Sequence, residues 1–276
     1  MNFRTLIPNF LTCLNLVCGC AGAVLAGSGK LEYAAYAIGI AAAFDFFDGF
    51  AARLLKGETE LGKQLDSLAD MVTFGVVPGI ILYHFIVIGL EEYYVEPTSR
   101  KIGHILLSMV AFLVPVFSAL RLAKFNIDER QKNYFLGLPT PANAILIASF
   151  PLIMGVQYGL NYYYPASEEI KNYLYSSLYF NQLDIIIISL MFNPFFHVIL
   201  SVVLSLMLVL PIPMLALKFR GWKWRRNKKR YIFLTISLLL LSTVYYTELY
   251  FLTIPIIILL YIGISVTYYL IKGKTR

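Results

Sequence analysis

Charge is scarce in this chain. Asp, Glu, Lys and Arg together make up 14% of its 276 residues, against about 25% in soluble domains. Cysteine and histidine are scarcer still, with three of each. Cys13, Cys18 and Cys20 share one apolar stretch with no histidine beside them. An odd cysteine count inside a membrane helix suits small apolar packing and excludes a disulfide framework. Low-complexity tracts, internal repeats and a water-soluble domain are also absent. The chain is 59% hydrophobic and has a mean hydropathy of +0.70. That composition specifies an all-α, polytopic integral membrane protein.

Runs of about 20 apolar residues mark transmembrane helices. They place eight spans, near 6–26, 32–55, 66–90, 102–123, 142–164, 193–217, 230–246 and 249–271. The first resembles a cleavable leader, but Pro8, Asn9, Thr12 and Asn15 interrupt its apolar core, so it is expected to be retained. The last two are separated only by Thr247 and Glu248. With a cytoplasmic N-terminus, the 23 Lys and Arg all fall on the cytoplasmic side except Lys30, Arg100, Lys101 and Lys171. Such asymmetry sets orientation in a membrane. It accounts for the net charge of +7 without nucleic acid. The basic run at 218–230 suits anionic headgroups. The chain therefore divides into a membrane core, 1–217, and a segment 218–276 holding the basic loop and two last spans. A bacterial inner membrane is the simplest location.

Against this background four aspartates stand out. Asp45 and Asp48 are three residues apart and share a face of span 2. Asp66 and Asp70 are four apart and share a face of span 3. The two spans are joined on the cytoplasmic side, which brings all four carboxylates within about 6 Å of common depth. Inserting each costs about 2.5–3.5 kcal/mol even on the mildest scale. Two divalent cations would cancel four negative charges, and hard oxygen ligands suit Mg²⁺ or Mn²⁺ placed for displacement at phosphorus. Gly49, Ala51, Ala52 and Gly62 leave room for a phosphate, and Arg53 offers it a guanidinium. A plainer reading pairs the acids with Arg53, Lys56 and Lys63; it covers Glu58 and Glu60 but not Asp45, two turns inside its span. A proton relay or cation pathway in a cation-coupled transporter also uses buried acids.

Other polar positions are less decided. Asn9, Thr12 and Asn15 form a polar stripe on span 1. It suits interhelical hydrogen bonds or a wall of a nucleotide pocket, with Pro8 and Asn9 at the right depth. Ser118, Arg121 and Lys124 advance by three residues at the inner end of span 4, level with the aspartates. They suit an anionic substrate group or simply mark a helix end. His84 is about 21 Å along the helix from Asp70, and His104 and His197 show no partner. Pro139 and Pro141 close a loop before span 5.

The pattern Asp45-x2-Asp48-Gly49-x2-Ala52-Arg53-x8-Gly62-x3-Asp66-x3-Asp70 resembles the signature of the CDP-alcohol phosphotransferases at every fixed position. The resemblance implies that Asp45, Asp48 and Asp66 bind two divalent cations, with Asp70 completing the second site and acting as general base. It implies that Gly49, Arg53 and Thr59 contact the CDP-diacylglycerol and that the protein is a homodimer; on the pocket-wall reading of span 1, Pro8, Asn9 and Thr12 join those contacts. IPNFLTCLN (7–15), DSLADMVTFGVVP (66–78), SALRLAKFN (118–126) and FLGLPTPA (135–142) are similar to one branch, the phosphatidylserine synthases, which usually carry Arg where this chain has Lys124. That branch implies L-serine as acceptor, its carboxylate met by Ser118, Arg121 and Lys124. Glycerol 3-phosphate and inositol are the alternative acceptors within the family. Direct attack by the acceptor and a covalent aspartyl-phosphate both stay open.

Overall fold

The structure is a computed structural model describing residues 3–127, 135–160, 181–215, 224–243 and 250–273. Helix α1 spans Phe3–Gly27 and α2 spans Leu31–Leu55. Helix α3, Glu60–Met71, runs through a π-turn at Val72–Val76 into α4, Val77–Gly89. Helix α5, Ile102–Met109, passes through a 3-10 turn into α6, Leu113–Ile127. Helix α7 spans Thr140–Pro151, followed by a second π-turn, Leu152–Gln157. Helices α8, Gln182–Met191, and α9, Pro194–Val209, come next. The last are α10, Trp224–Thr243, and α11, Thr253–Gly273. Two short strands, β1 at Phe135–Leu136 and β2 at Pro213–Met214, pair antiparallel with Phe135 opposite Met214.

Among the described residues four helices are long and apolar enough to cross a membrane: Phe3–Gly27, Glu60–Gly89, Ile102–Ile127 and Thr140–Gln157. Helices α8 and α9 make a fifth if their pair, bent by 72°, is one span. The expected span at 193–217 thus starts earlier and ends sooner. A capping box between Asn181 and Asp184 starts α8. Asn193 then accepts from the amides of Phe195 and Phe196, and Pro194 restarts the chain as α9. The helix ends at Val209, where Pro211 and Pro213 cannot continue it. The turn expected at Thr247 and Glu248 and much of the basic run at 218–230 lie outside the described residues.

The N-terminal helices pack through small side chains. The buried residues of α1 are Pro8, Thr12, Asn15, Gly19, Gly22 and Ala26, alternating four and three apart, while Phe10, Val17 and Val24 face outward. That strip lets α1 lie close to α2 and the π-turn. A methyl group on Gly19 would collide with Thr73. Pro78 accounts for the π-turn: it has no amide hydrogen for the carbonyl of Phe74, and its ring crowds that carbonyl. Gly75 and Gly79, one turn apart, then admit α6; a Cβ on Gly75 would stand 3.1 Å from that of Ser118, and one on Gly79 2.8 Å from Pro115.

One buried apolar cluster continues from these helices through Phe85, Ile147 and Leu208 to Phe233, Ile258 and Tyr261 on the last two helices. The β-ladder ties the loop before α7 to this body. Gly137 takes a left-handed φ of 78° and lies on the Leu208 carbonyl, while the Leu138 amide donates to Met207 at 2.8 Å.

Several residues expected to be isolated have partners. His104 Nδ1 lies 2.6 Å from Glu92 Oε1. His197 Nε2 lies 2.7 Å from the Met191 carbonyl, and its ring stacks on Phe85. The cysteines are free, but Cys13 and Cys20 are exposed on α1, so they do not serve as small packing residues.

Candidate active site

The site forms where α1, α2 and α3 meet. The loop between α2 and α3 is closed tightly: Lys56 caps α2 in the left-handed region, and the Gly57 amide donates to Ala52 at 2.9 Å. A side chain on Gly57 would collide with the Arg4 carbonyl, so α1 clamps the loop from above. Thr59 caps α3 by accepting from the Gly62 amide at 3.0 Å. Fixing both ends of the loop fixes the register of the aspartates on either side.

Asp45, Asp48 and Asp66 each present a carboxylate oxygen, all within 4.8 Å of one another. The Asp45 carboxyl group is also in hydrogen-bonding reach of Asp70. Among the described residues no Lys or Arg forms an ion pair with any of the four. Lys63 instead binds Glu60 at 2.7 Å, and Arg53 is exposed. Three hard oxygen donors in such a triangle, with no cation of the chain's own to neutralise them, fit a divalent metal ion.

Helix α1 holds this cluster in shape. Thr12 Oγ1 donates to Asp48 Oδ2 at 2.7 Å, and Asn15 Nδ2 donates to Asp70 Oδ1 at 3.2 Å. Thr73, one turn beyond Asp70, donates to the Asn15 carbonyl at 3.2 Å. Hydrogen bonds to a charged group contribute about 1.5–3 kcal/mol. Asn15 was undecided from the sequence; its place on the strip with Pro8 and Thr12 was the signal, but not the identity of its partner.

The remaining expected residues scatter more widely. Pro8 is buried, and Asn9 lies beside Gly62. A Cβ on Gly49 would meet nothing within 4 Å, so the α2 surface is open there. Arg53 lines a cleft of about 300 Å³ with Ala52, Lys56 and Glu58. Arg121 is buried at 7% exposure, and its Nη1 donates to Thr140 Oγ1 at 3.3 Å. It is also in electrostatic range of Asp70 and Tyr261. Ser118 is fully buried beneath it, whereas Lys124 is exposed, so the three do not present one surface.

Sequence reasoning missed Thr140, Asn143 and Tyr261. Asn143, an amide alone in an apolar run, was a visible signal. Tyr261 carried none, being one of twenty tyrosines.

Comparisons with known proteins place relatives beside this chain. The family model described as CDP-alcohol phosphatidyltransferase matches residues 5–222. The chain is 29% identical over 189 residues to a CDP-diacylglycerol--serine O-phosphatidyltransferase of Helicobacter pylori, covering 60% of this chain and 74% of that one. It is 33% identical over 162 residues to the protein of the same name in Bacillus subtilis, covering 56% and 84%. An archaetidylserine synthase of Methanothermobacter thermautotrophicus is 32% identical over 149 residues, covering 53% and 58%. The match to the Mycobacterium leprae protein named like the first two spans half of that protein's length.

Proposed function

The chain belongs to the CDP-alcohol phosphatidyltransferase family, and we propose that it transfers the phosphatidyl group of CDP-diacylglycerol to the hydroxyl of L-serine, giving phosphatidylserine and CMP. The choice of serine is supported by the relatives named as serine O-phosphatidyltransferases; the buried Arg121 guanidinium, in electrostatic range of Asp70, supplies positive charge for an anionic acceptor. It sets a cation for the acceptor's carboxylate beside a base for its hydroxyl.

Asp45, Asp48, Asp66 and Asp70 would hold two divalent cations, Mg²⁺ or Mn²⁺, which when bound supply positive charge for the pyrophosphate. Arg53, with Gly49, Thr59 and the α1 residues Pro8, Asn9 and Thr12, receives the CDP moiety. Thr12 keeps Asp48 oriented through its hydrogen bond. Asn15 does the same for Asp70. Asp70 takes the proton of the serine hydroxyl. That oxygen forms a bond to the phosphorus that bears diacylglycerol, the bond from this phosphorus to the CMP oxygen breaks, and CMP leaves on the opposite side. Attack is direct, with no aspartyl-phosphate.

The proposal includes eight spans in a bacterial inner membrane, with the site facing the cytoplasm and the protein a homodimer. It keeps 1–217 as the membrane core and 218–276 as the C-terminal segment. Ser118 and Arg121 serve the acceptor; Lys124 attracts it from the surface.

The test is CMP release and lipid product from detergent-purified protein, with serine, glycerol 3-phosphate and inositol compared. Serine alone should support turnover, and EDTA should abolish it until Mg²⁺ or Mn²⁺ is restored. Turnover with inositol or glycerol 3-phosphate in place of serine would overturn the acceptor assignment. Asp70→Asn should lower kcat far more than it weakens CDP-lipid binding; an equal loss of both would make Asp70 a structural ligand.

A further inference from the structure

Buried polar atoms are nearly always hydrogen-bonded, so those left without partners call for a water, an ion or a ligand. Among the described residues ten buried side-chain atoms have none, and five of them belong to four residues on helices that pack against the one bearing Asp70. These are Asn15 Oδ1, Ser118 Oγ, Arg121 Nε, and both Nδ2 and Oδ1 of Asn143. Asn143 is fully buried with its whole amide unsatisfied.

The helices explain the convergence. Both α6 and α7 pack on the helix that carries Asp70, at the π-turn, and Arg121 reaches across the space between them to Thr140. Consecutive spans run in opposite directions. One turn back from Arg121 on α6 is Ser118, and one turn forward from Thr140 on α7 is Asn143. Both therefore lie about 4.5 Å below the Arg121–Thr140 bridge. Ser118 also faces Gly75, on the helix that bears Asp70.

Resting on the reading of serine as acceptor, we propose that Asn143 is a specificity-determining residue that recognises the acceptor's amino group. An ammonium has three donors and no acceptor. Asn143 Oδ1 and Ser118 Oγ accept from it, while Asn143 Nδ2 and Arg121 Nε donate to the carboxylate. The amide, with a donor and an acceptor on one plane, reads both ends of a zwitterion. Glycerol phosphate and inositol present no cation to it.

The test uses the full chain with CDP-diacylglycerol and two acceptors, L-serine and 3-hydroxypropionate, which lacks only the amino group. Asn143→Leu should raise the KM for serine at least about tenfold, because a buried polar contact is lost. The KM for CDP-lipid should stay within about twofold, and the preference for serine over 3-hydroxypropionate should shrink. Asn143→Ala leaves room for a water in place of the amide, so it should lose less; it decides the matter if the leucine variant does not fold. Equal shifts for both acceptors, or a CDP-lipid KM that rises in step, would overturn the proposal and make Asn143 a packing residue. A wild-type protein that ignores serine would instead defeat the acceptor reading itself.

Discussion

The carboxylate cluster and the buried polar group around Arg121 adjoin each other and are built in opposite ways. The cluster arrives with its supports in place: Thr12 holds Asp48 and Asn15 holds Asp70. The polar group is left with unmet hydrogen-bonding capacity at Ser118, Arg121 and Asn143. Like charges repel, so carboxylates that must stay close need braces from a neighbouring helix. A pocket for a small polar molecule needs free donors and acceptors, each costing about 1–3 kcal/mol while unsatisfied. The first arrangement is braced from a neighbouring helix, and the second would be completed by a ligand.

Substitutions can break that contrast on either side. The largest effect should come from the cluster itself: Asp45→Asn, Asp48→Asn or Asp66→Asn each removes an anionic ligand and should bring turnover to background with weakened metal binding, measured by calorimetric titration. Near-normal activity with unchanged metal dependence in any of the three would remove the metal assignment. Next is the pocket's cation. Arg121→Ala should raise the KM for serine roughly ten- to a hundredfold and that for CDP-lipid much less; saturation curves for both substrates check this. The opposite split would move Arg121 to the nucleotide side. A brace should matter less than a ligand. Thr12→Val keeps the shape, removes the hydrogen bond to Asp48, and should weaken metal binding about tenfold. No change would make the brace incidental. The smallest effect belongs to Tyr261, in electrostatic range of Arg121: Tyr261→Phe should raise the KM for serine about two- to threefold, with CDP-lipid kinetics as the internal control.

The cluster was the more legible of the two regions. Asp45 with Asp48, and Asp66 with Asp70, are spaced by single helical turns within unbroken helices, so their shared faces follow from residue numbers alone. Thr12 and Asn15 were visible as a stripe, but a stripe does not name the helix it touches. The pocket depends on what lies across a gap. That Arg121 meets Thr140 follows from the loop pinned by Gly137 and the β-ladder, a two-residue pairing too short to be read from a pattern. The Glu60–Gly89 helix could be read as a span, but its π-turn could not. The 182–191 helix escaped because Asn193 and Pro194 cut it off from the run read as the 193–217 span, and its 10 residues alone are shorter than a span.

Tyr261 gives the site a sequence in time. Chains enter the membrane from the N-terminus as they are made. Every carboxylate of the cluster, with Thr12 and Asn15, lies on the first three long helices, complete once Gly89 has been inserted. Tyr261, in electrostatic range of Arg121, waits for α11, which is synthesised well after the cluster. A nascent chain can therefore assemble its carboxylate site well before it can enclose an acceptor, and a ribosome that stops short of α11 leaves that half-built state in the bilayer.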